Sequence, residues 1–238
     1  MGVYKVKLIR KETVATDTIA FYFEKPASFN FKAGQYADYI QIDPPQTDKE
    51  GNERSFTLAC APYEGDICFI TRMRDTAFKR VMKDMQIGTK IQIDGPNGNL
   101  TLKNNTTPAV FLTGGIGVTP ALSIIKQALH DHSDQKISLF YSNGNLDSAV
   151  EIDIFYEMAK LDANFTFVPT LTDPSLGYYH GETGRISIDM LRKYISDLSI
   201  PNFYITGSPT MVKSLRQILI SNGIKNHQVF TEEFDGYN

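Results

Sequence analysis

At 238 residues, with 42% hydrophobic and 21% charged side chains, the chain can bury a substantial core and lacks the composition of a disordered protein. A net charge of −3 gives no electrostatic reason to expect nucleic acid or an anionic membrane as partner, which leaves small molecules or another protein. Charges spaced through the first ten residues predict no signal peptide, and no later apolar run predicts a membrane span. Cys60 and Cys68 are too few for a metal array or iron–sulfur cluster, and read as reduced thiols of a cytoplasmic protein.

The first hundred residues predict strands separated by turns: Val3 to Leu8, Thr18 to Phe23, Tyr36 to Ile42, Ser55 to Ala59, Ile67 to Met73 and Thr89 to Ile93. Short strands in that number suggest an antiparallel barrel or a sandwich. One helix interrupts them, capped by Asp75 or Thr76, with Phe78, Val81, Met82 and Met85 at helical spacing before Gly88. The polar, breaker-rich stretch Lys103 to Pro108 marks a domain boundary, giving units at 1–103 and 108–238.

Beyond it strands and helices alternate. The pattern gives a strand at Val110 to Thr113, a helix from Pro120 to His130, a strand at Ile137 to Ser142 and a helix from about Ser148 to Leu161. A strand at Phe165 to Thr170, a long loop and a helix from Ser187 to Ile195 follow. The chain closes with a strand at Phe203 to Thr206, a helix from Pro209 to Ser221 and a strand at Gln228 to Thr231. Alternation of this kind predicts a Rossmann-like parallel sheet covered on both faces, with its ligand at the carboxyl ends of the strands.

Two segments carry chemistry on their own residues. Val110 to Pro120 runs from a buried strand through Gly114, Gly115 and Gly117 into a helix, with Thr119 as expected N-cap and Pro120 in the first turn. Such a turn can cradle a pyrophosphate, although the dinucleotide fingerprint would need glycine where Pro120 stands; a tight connection without a ligand is the plain alternative. In Arg54-Ser55-Phe56-Thr57, alternation puts Arg54 and Phe56 on one face and Ser55 and Thr57 on the other. The arginine can clamp a phosphate, the ring can lie on a planar ligand and a hydroxyl can meet a ring nitrogen, while an ordinary strand with an exposed arginine is the alternative.

Taken in order, Arg54-Ser55-Phe56-Thr57, Gly95-Pro96-Asn97-Gly98, Gly114 to Pro120, Gly207-Ser208-Pro209-Thr210-Met211-Val212 and Glu232-Glu233-Phe234 resemble the ferredoxin–NADP reductase family over nearly the whole chain. The resemblance implies a flavin-carrying barrel followed by a nicotinamide-dinucleotide domain. It implies that Arg54 contacts flavin phosphate, that Phe56 packs at the flavin and that Thr57 hydrogen-bonds its ring, with Ser55 beside them. FAD, favoured over FMN, would place its pyrophosphate along Arg72, Met73, Arg74, Asp75, Thr76, Ala77 and Phe78, where Ala77 replaces a common serine. Gly114, Gly115, Gly117, Thr119, Ser142, Asn143 and Gly207 would hold the dinucleotide. Thr206 stands where the family commonly has a cysteine beside the nicotinamide, and Met211 is expected in the core. Glu232 would be the acid near the nicotinamide and Phe234 the ring stacked on the flavin, with Tyr237 as its rival; the loop Leu171 to Gly184, including His180, borders the same cleft.

Between Ser138 and Glu157 there is no Lys or Arg to meet a 2′-phosphate, so NADH is favoured over NADPH, with Lys126, Arg185 and Lys213 as residues that could fold into range. The activity implied is hydride transfer from NAD(P)H to flavin and electron transfer to a separate acceptor, such as ferredoxin, flavodoxin or a haem protein. A free-flavin or ferric reductase, and a flavin-binding subunit or sensor without turnover of its own, are the alternatives.

Overall fold

A computed structural model describes residues 2–173, 179 and 181–234. The N-terminal strands are β1 (Gly2–Ala15), β2 (Thr18–Glu24), β3 (Tyr36–Gln41), β4 (Glu53–Thr57), β5 (Asp66–Arg72) and β6 (Lys90–Asn97), in one antiparallel sheet of order β4-β3-β6-β1-β2-β5. The first strand is longer than its pattern suggests because it serves two partners. Its first half pairs with β6 and its second half with β2, with an irregularity between Leu8 and Arg10 that bends the sheet. The sheet curls until its two edge segments meet, Ala59 N–H donating to Cys68 O at 2.9 Å. Helix α1 (Ala77–Asp84) starts at Thr76, whose hydroxyl accepts from Lys79 N–H, and buries Phe78, Val81 and Met82 inside the curl.

The C-terminal sheet is wholly parallel, with β7 (Ala109–Gly114), β8 (Ile137–Asn143), β9 (Phe165–Leu171), β10 (Glu182–Thr183), β11 (Asn202–Gly207) and β12 (Val229–Glu233) in the order β10-β9-β8-β7-β11-β12. Helices α2 (Thr119–His130), α3 (Ile152–Leu161), α4 (Ile188–Tyr194) and α5 (Pro209–Ser221) cover it. Val110 and Leu112 pack with residues of α4 and α5, whereas Ala109 and Phe111 join a cluster that also contains Phe21 and Phe69 of the N-terminal core. The order reverses beside β7, so the ends of β7 and β11 open a crevice.

The short β10 is absent from the sequence pattern, being two residues long. The helix expected from Ser148 begins at Ile152; Leu146–Ser148 form a separate 3₁₀ turn capped by Asn145, and Glu151 adopts a left-handed backbone, φ 55°. Among the described residues no helix is long and apolar enough to cross a membrane.

The two halves are joined by polar contacts as well as apolar ones. Ser123 Oγ donates to Cys60 O at 2.6 Å, Lys126 Nζ lies 3.1 Å from Glu64 Oε1, and Thr16 N–H donates to Asp147 O at 2.8 Å. The connecting segment is itself tied down, Lys103 N–H donating to Tyr204 Oη and Gln135 Nε2 to Asn104 O.

Candidate functional site

Two cavities meet along the crevice. The first, about 700 Å³, is lined from the antiparallel side by Arg54, Ser55, Phe56, Thr57, Thr76 and Lys79, and closed by Ile116, Thr119, Glu232 and Phe234 from the other half. Alternation alone would send Ser55 and Thr57 away from Arg54 and Phe56. The cavity takes all four because β4 is an edge strand and the space wraps around it. Phe56 stacks on Phe69 with ring centroids 4.3 Å apart and planes 7° apart, presenting its other side as half-exposed surface. Thr57 is buried at 4% exposure and its Oγ1 has no hydrogen-bond partner, an expensive arrangement unless a ligand supplies one. Ser55, by contrast, spends its hydroxyl on Asp38.

Arg54 is not an open clamp. Its guanidinium lies 3.2 Å from Asp48 Oδ1 and 2.9 Å from Glu50 Oε2, and donates to Glu50 O at 2.9 Å. Of the expected pyrophosphate segment, Ala77 offers its N–H, which donates to Asp48 Oδ2 at 3.1 Å, and Thr76 lines the cavity. The side chains of Met73 and Phe78 turn into the core instead, Phe78 being 1% exposed. Lys79, one helical turn beyond the Thr76 cap, lines the cavity and donates from Nζ to Arg72 O at 2.7 Å; its spacing from the cap was the signal that could have found it.

The second cavity, about 490 Å³, lies over the glycine turn and is lined by Gly114, Gly115, Gly117, Ser142, Asn143 and Gly207, with Ser208, Met211 and Thr172 around them. Gly115 has φ 51°, and a Cβ on Gly117 would lie 2.7 Å from Gly207 Cα. The expected cap at Thr119 is not one. A 3₁₀ turn, Gly115–Val118, runs straight into α2, so Val118 is already right-handed and Thr119 Oγ1 donates back to Ile116 O at 3.1 Å. Thr119 therefore faces the first cavity and not the dinucleotide turn.

Arg72 is likewise displaced from its expected role. It projects from β5 into the second cavity, near Gly115, with Nη2 3.5 Å from Ser148 O. Met211, expected in the core, packs partly there and also lines this cavity. Thr206 is fully buried, and its hydroxyl donates to Gly117 O at 2.6 Å, so it ties the two strand ends together and lines neither cavity. Asn143 Oδ1 is a second buried acceptor without a partner, on the wall of this cavity. Lys126, Arg185 and Lys213 line neither space.

Phe234 and Ile116 are shared by both cavities, and Phe234 is held by its N–H donating to Gly207 O at 2.9 Å. Glu232, on the wall of the first cavity, has its carboxyl pushed up to about 7 by burial. A carboxyl raised in the folded state above its ordinary value near 4.5 makes folding bind protons. Its contribution is favourable below pH 4.5, falls as pH rises and is lost above about 7. Glu232→Gln is therefore expected to stabilise the fold at pH 8 by about 1–3 kcal/mol and to leave stability at pH 4 unchanged, as read by urea unfolding at both pH values. Tyr237 and His180, the other expected residues of this cleft, lie outside the described residues.

The donors fit the groups the sequence implies. An orphaned threonine hydroxyl beside an aromatic platform suits a flavin ring, and a glycine-rich turn with an arginine over it suits a dinucleotide pyrophosphate. Comparison with known proteins agrees. Residues 5–102 match the oxidoreductase FAD-binding domain and residues 111–217 the oxidoreductase NAD-binding domain. The reductase component of propane 2-monooxygenase from Rhodococcus jostii is 26% identical over 240 residues, 97% of this chain and 63% of that protein. CDP-6-deoxy-L-threo-D-glycero-4-hexulose-3-dehydrase reductase from Yersinia pseudotuberculosis is 26% identical over 97% of this chain and 68% of its own length. The chain thus spans about two thirds of these relatives. The fold matches a Neisseria gonorrhoeae ferredoxin NADP+ reductase, solved with bound FAD and NADP, at a TM-score of 0.82 and 22% identity, over 97% of this chain and 98% of that one. With an antiparallel FAD-binding half, a parallel NAD-binding half and the crevice between them, the chain belongs to the ferredoxin–NADP reductase family of flavin-dependent oxidoreductases.

Proposed function

We propose that the chain is an NADH-dependent flavoprotein reductase whose FAD lies in the 700 Å³ cavity of a unit spanning 1–103, with the dinucleotide over the glycine turn of a unit spanning 108–238. The observation that carries this reading is the orphaned hydroxyl of Thr57, a residue that lines the cavity together with Phe56 and Glu232. When bound, FAD supplies the redox chemistry, accepting hydride from reduced nicotinamide and releasing electrons onward. The protein's share is orientation. Thr57 offers a hydroxyl to the flavin ring, Phe56 supports one side of it, and Phe234 occupies the boundary through which a nicotinamide must approach. Glu232 keeps a partly protonated carboxyl at that boundary near neutral pH.

Arg72 is the cation of the dinucleotide cavity among the described residues; it stands by Gly115, with Nη2 3.5 Å from Ser148 O in the segment after β8. The absence of Lys and Arg between Ser138 and Glu157 supports NADH over NADPH, with Arg72 left as the one lining cation for the pyrophosphate among the described residues. Electrons then pass to a separate acceptor, a protein carrier, by analogy with the relatives that are reductase components of larger systems. The two buried free thiols, Cys60 and Cys68, support a reducing, cytoplasmic setting.

Anaerobic titration of the purified protein tests the reading. A flavin band that NADH bleaches at lower concentration than NADPH is expected, and no band after reconstitution with FAD would refute it. In the same titration Arg72→Ala should need ten to a hundred times more NADH, the loss of one charge-assisted contact, while retaining its full flavin content. Loss of flavin with unchanged NADH demand would return Arg72 to the flavin pyrophosphate.

A further inference from the structure

Two of the groups expected to receive the flavin phosphates, Arg54 and the Ala77 amide, already hold an anion, and it belongs to the chain. Asp48, on the loop between β3 and β4, sets Oδ1 3.2 Å from Arg54 Nη2 and accepts the Ala77 N–H, the first amide of α1, on Oδ2 at 3.1 Å. The same carboxylate accepts Glu50 N–H at 2.9 Å, and the loop closes on itself where Asp48 pairs with Gly51. One carboxylate therefore spans the guanidinium and the helix start, the two devices a phosphate would use. Arg54, which holds the Asp48 carboxylate, and Thr76, which precedes Ala77, both line the cavity that Phe56 and Thr57 also line, so the anion position adjoins the ring position.

We propose that Asp48 is an internal stand-in for the flavin phosphate, which FAD must displace from Arg54 and Ala77 in order to bind, so that Asp48 sets the affinity and selectivity for phosphorylated flavins. The inference rests on the flavin reading above. Its chemistry is an exchange of one anion for another on fixed donors, with no covalent step. The Asp48 carboxyl is held below its ordinary value chiefly by the Glu50 amide, with Ala77 and Arg54 adding to it, so it stays charged throughout the neutral range and competes as an anion. A flavin without a phosphate has nothing to displace, because the ring donors and the anion donors are separate groups. Release of Asp48 would also free the loop from α1, so binding of FAD should be felt along residues 44–52.

The test compares FAD with riboflavin by titration calorimetry on the full chain freed of flavin, in wild type and Asp48→Asn. Asparagine keeps the acceptor for Glu50 N–H and removes the charge. The expected result is FAD binding about tenfold tighter in the variant, with riboflavin binding changed less than twofold. Unchanged or weaker FAD binding in the variant makes Asp48 a strut that positions Arg54 and overturns the proposal, while the flavin reading stands. Absence of binding of either flavin to the wild type overturns both. A second measurement needs no variant: amide hydrogen exchange across residues 44–52 of the wild type should accelerate with FAD and not with riboflavin, and equal protection in the two complexes overturns the displacement.

Discussion

Replacing Gly117 by alanine is expected to abolish useful binding of the dinucleotide and to lower the melting temperature by several degrees. The added Cβ would lie 2.7 Å from Gly207 Cα and 2.8 Å from both Gly207 N and Thr206 O, and all three are backbone atoms that cannot rotate away. The end of β11 and the turn after β7 must then part. That breaks the Thr206 hydroxyl contact to Gly117 O and widens the floor of the cavity. Overpacking of this kind costs about 1–3 kcal/mol, and a shifted cradle misplaces every amide aimed at the ligand. Scanning calorimetry reads the first effect and NADH titration the second. A variant with wild-type melting and wild-type NADH affinity would show that the close approach of the two strand ends carries no load.

Thr57→Val should move stability and function in opposite directions. The hydroxyl of Thr57 is buried without a partner, so the isosteric valine removes a desolvated polar group and is expected to raise the stability of the flavin-free protein by about 1 kcal/mol. The same change deletes the group placed to meet the flavin ring, and flavin reduction by NADH should slow by about ten- to a hundredfold, the value of one well-aimed hydrogen bond. Chemical unfolding of the flavin-free protein and stopped-flow reduction of the flavin-loaded protein are the two readouts. If valine destabilises the flavin-free fold, the hydroxyl has a partner within the protein and its assignment to the flavin fails.

What could be read from the chain divides along physical lines. Strands and helices were legible where a short-range pattern decides them: the alternation from Thr18 to Phe23, the proline at the start of α5, the apolar run into Gly114. Gly114, Gly115 and Gly117 gather at one cavity because a turn between adjacent elements is a local event. Residues whose role depends on where two distant segments pack were not legible. Arg72 follows its strand to the edge of the antiparallel sheet and emerges against Gly115, forty-odd residues away in sequence, a placement that no spacing encodes. Thr206 sits next to a glycine motif, yet as a residue on a central parallel strand it turns inward, where its hydroxyl finds Gly117 O. Asp48 lies in the loop between β3 and β4, and its meeting with Ala77 depends on how that loop folds over α1.

The stitching of the two halves bears on the tempo of turnover. Lys103, Asn104 and Gln135 fasten the connecting segment to the parallel sheet, and Ser123, Lys126 and Thr16 fasten the halves to each other, so opening one lobe from the other would have to break these contacts. Phe234 stands on the wall of both cavities, so rotation of its ring would join them without any movement of a lobe. Rotation of a side chain runs on a picosecond to nanosecond clock, far ahead of the millisecond scale of lobe movement. Were the chain to turn over as proposed with its lobes held closed, the waiting time in each cycle would belong to the arrival and departure of its partners.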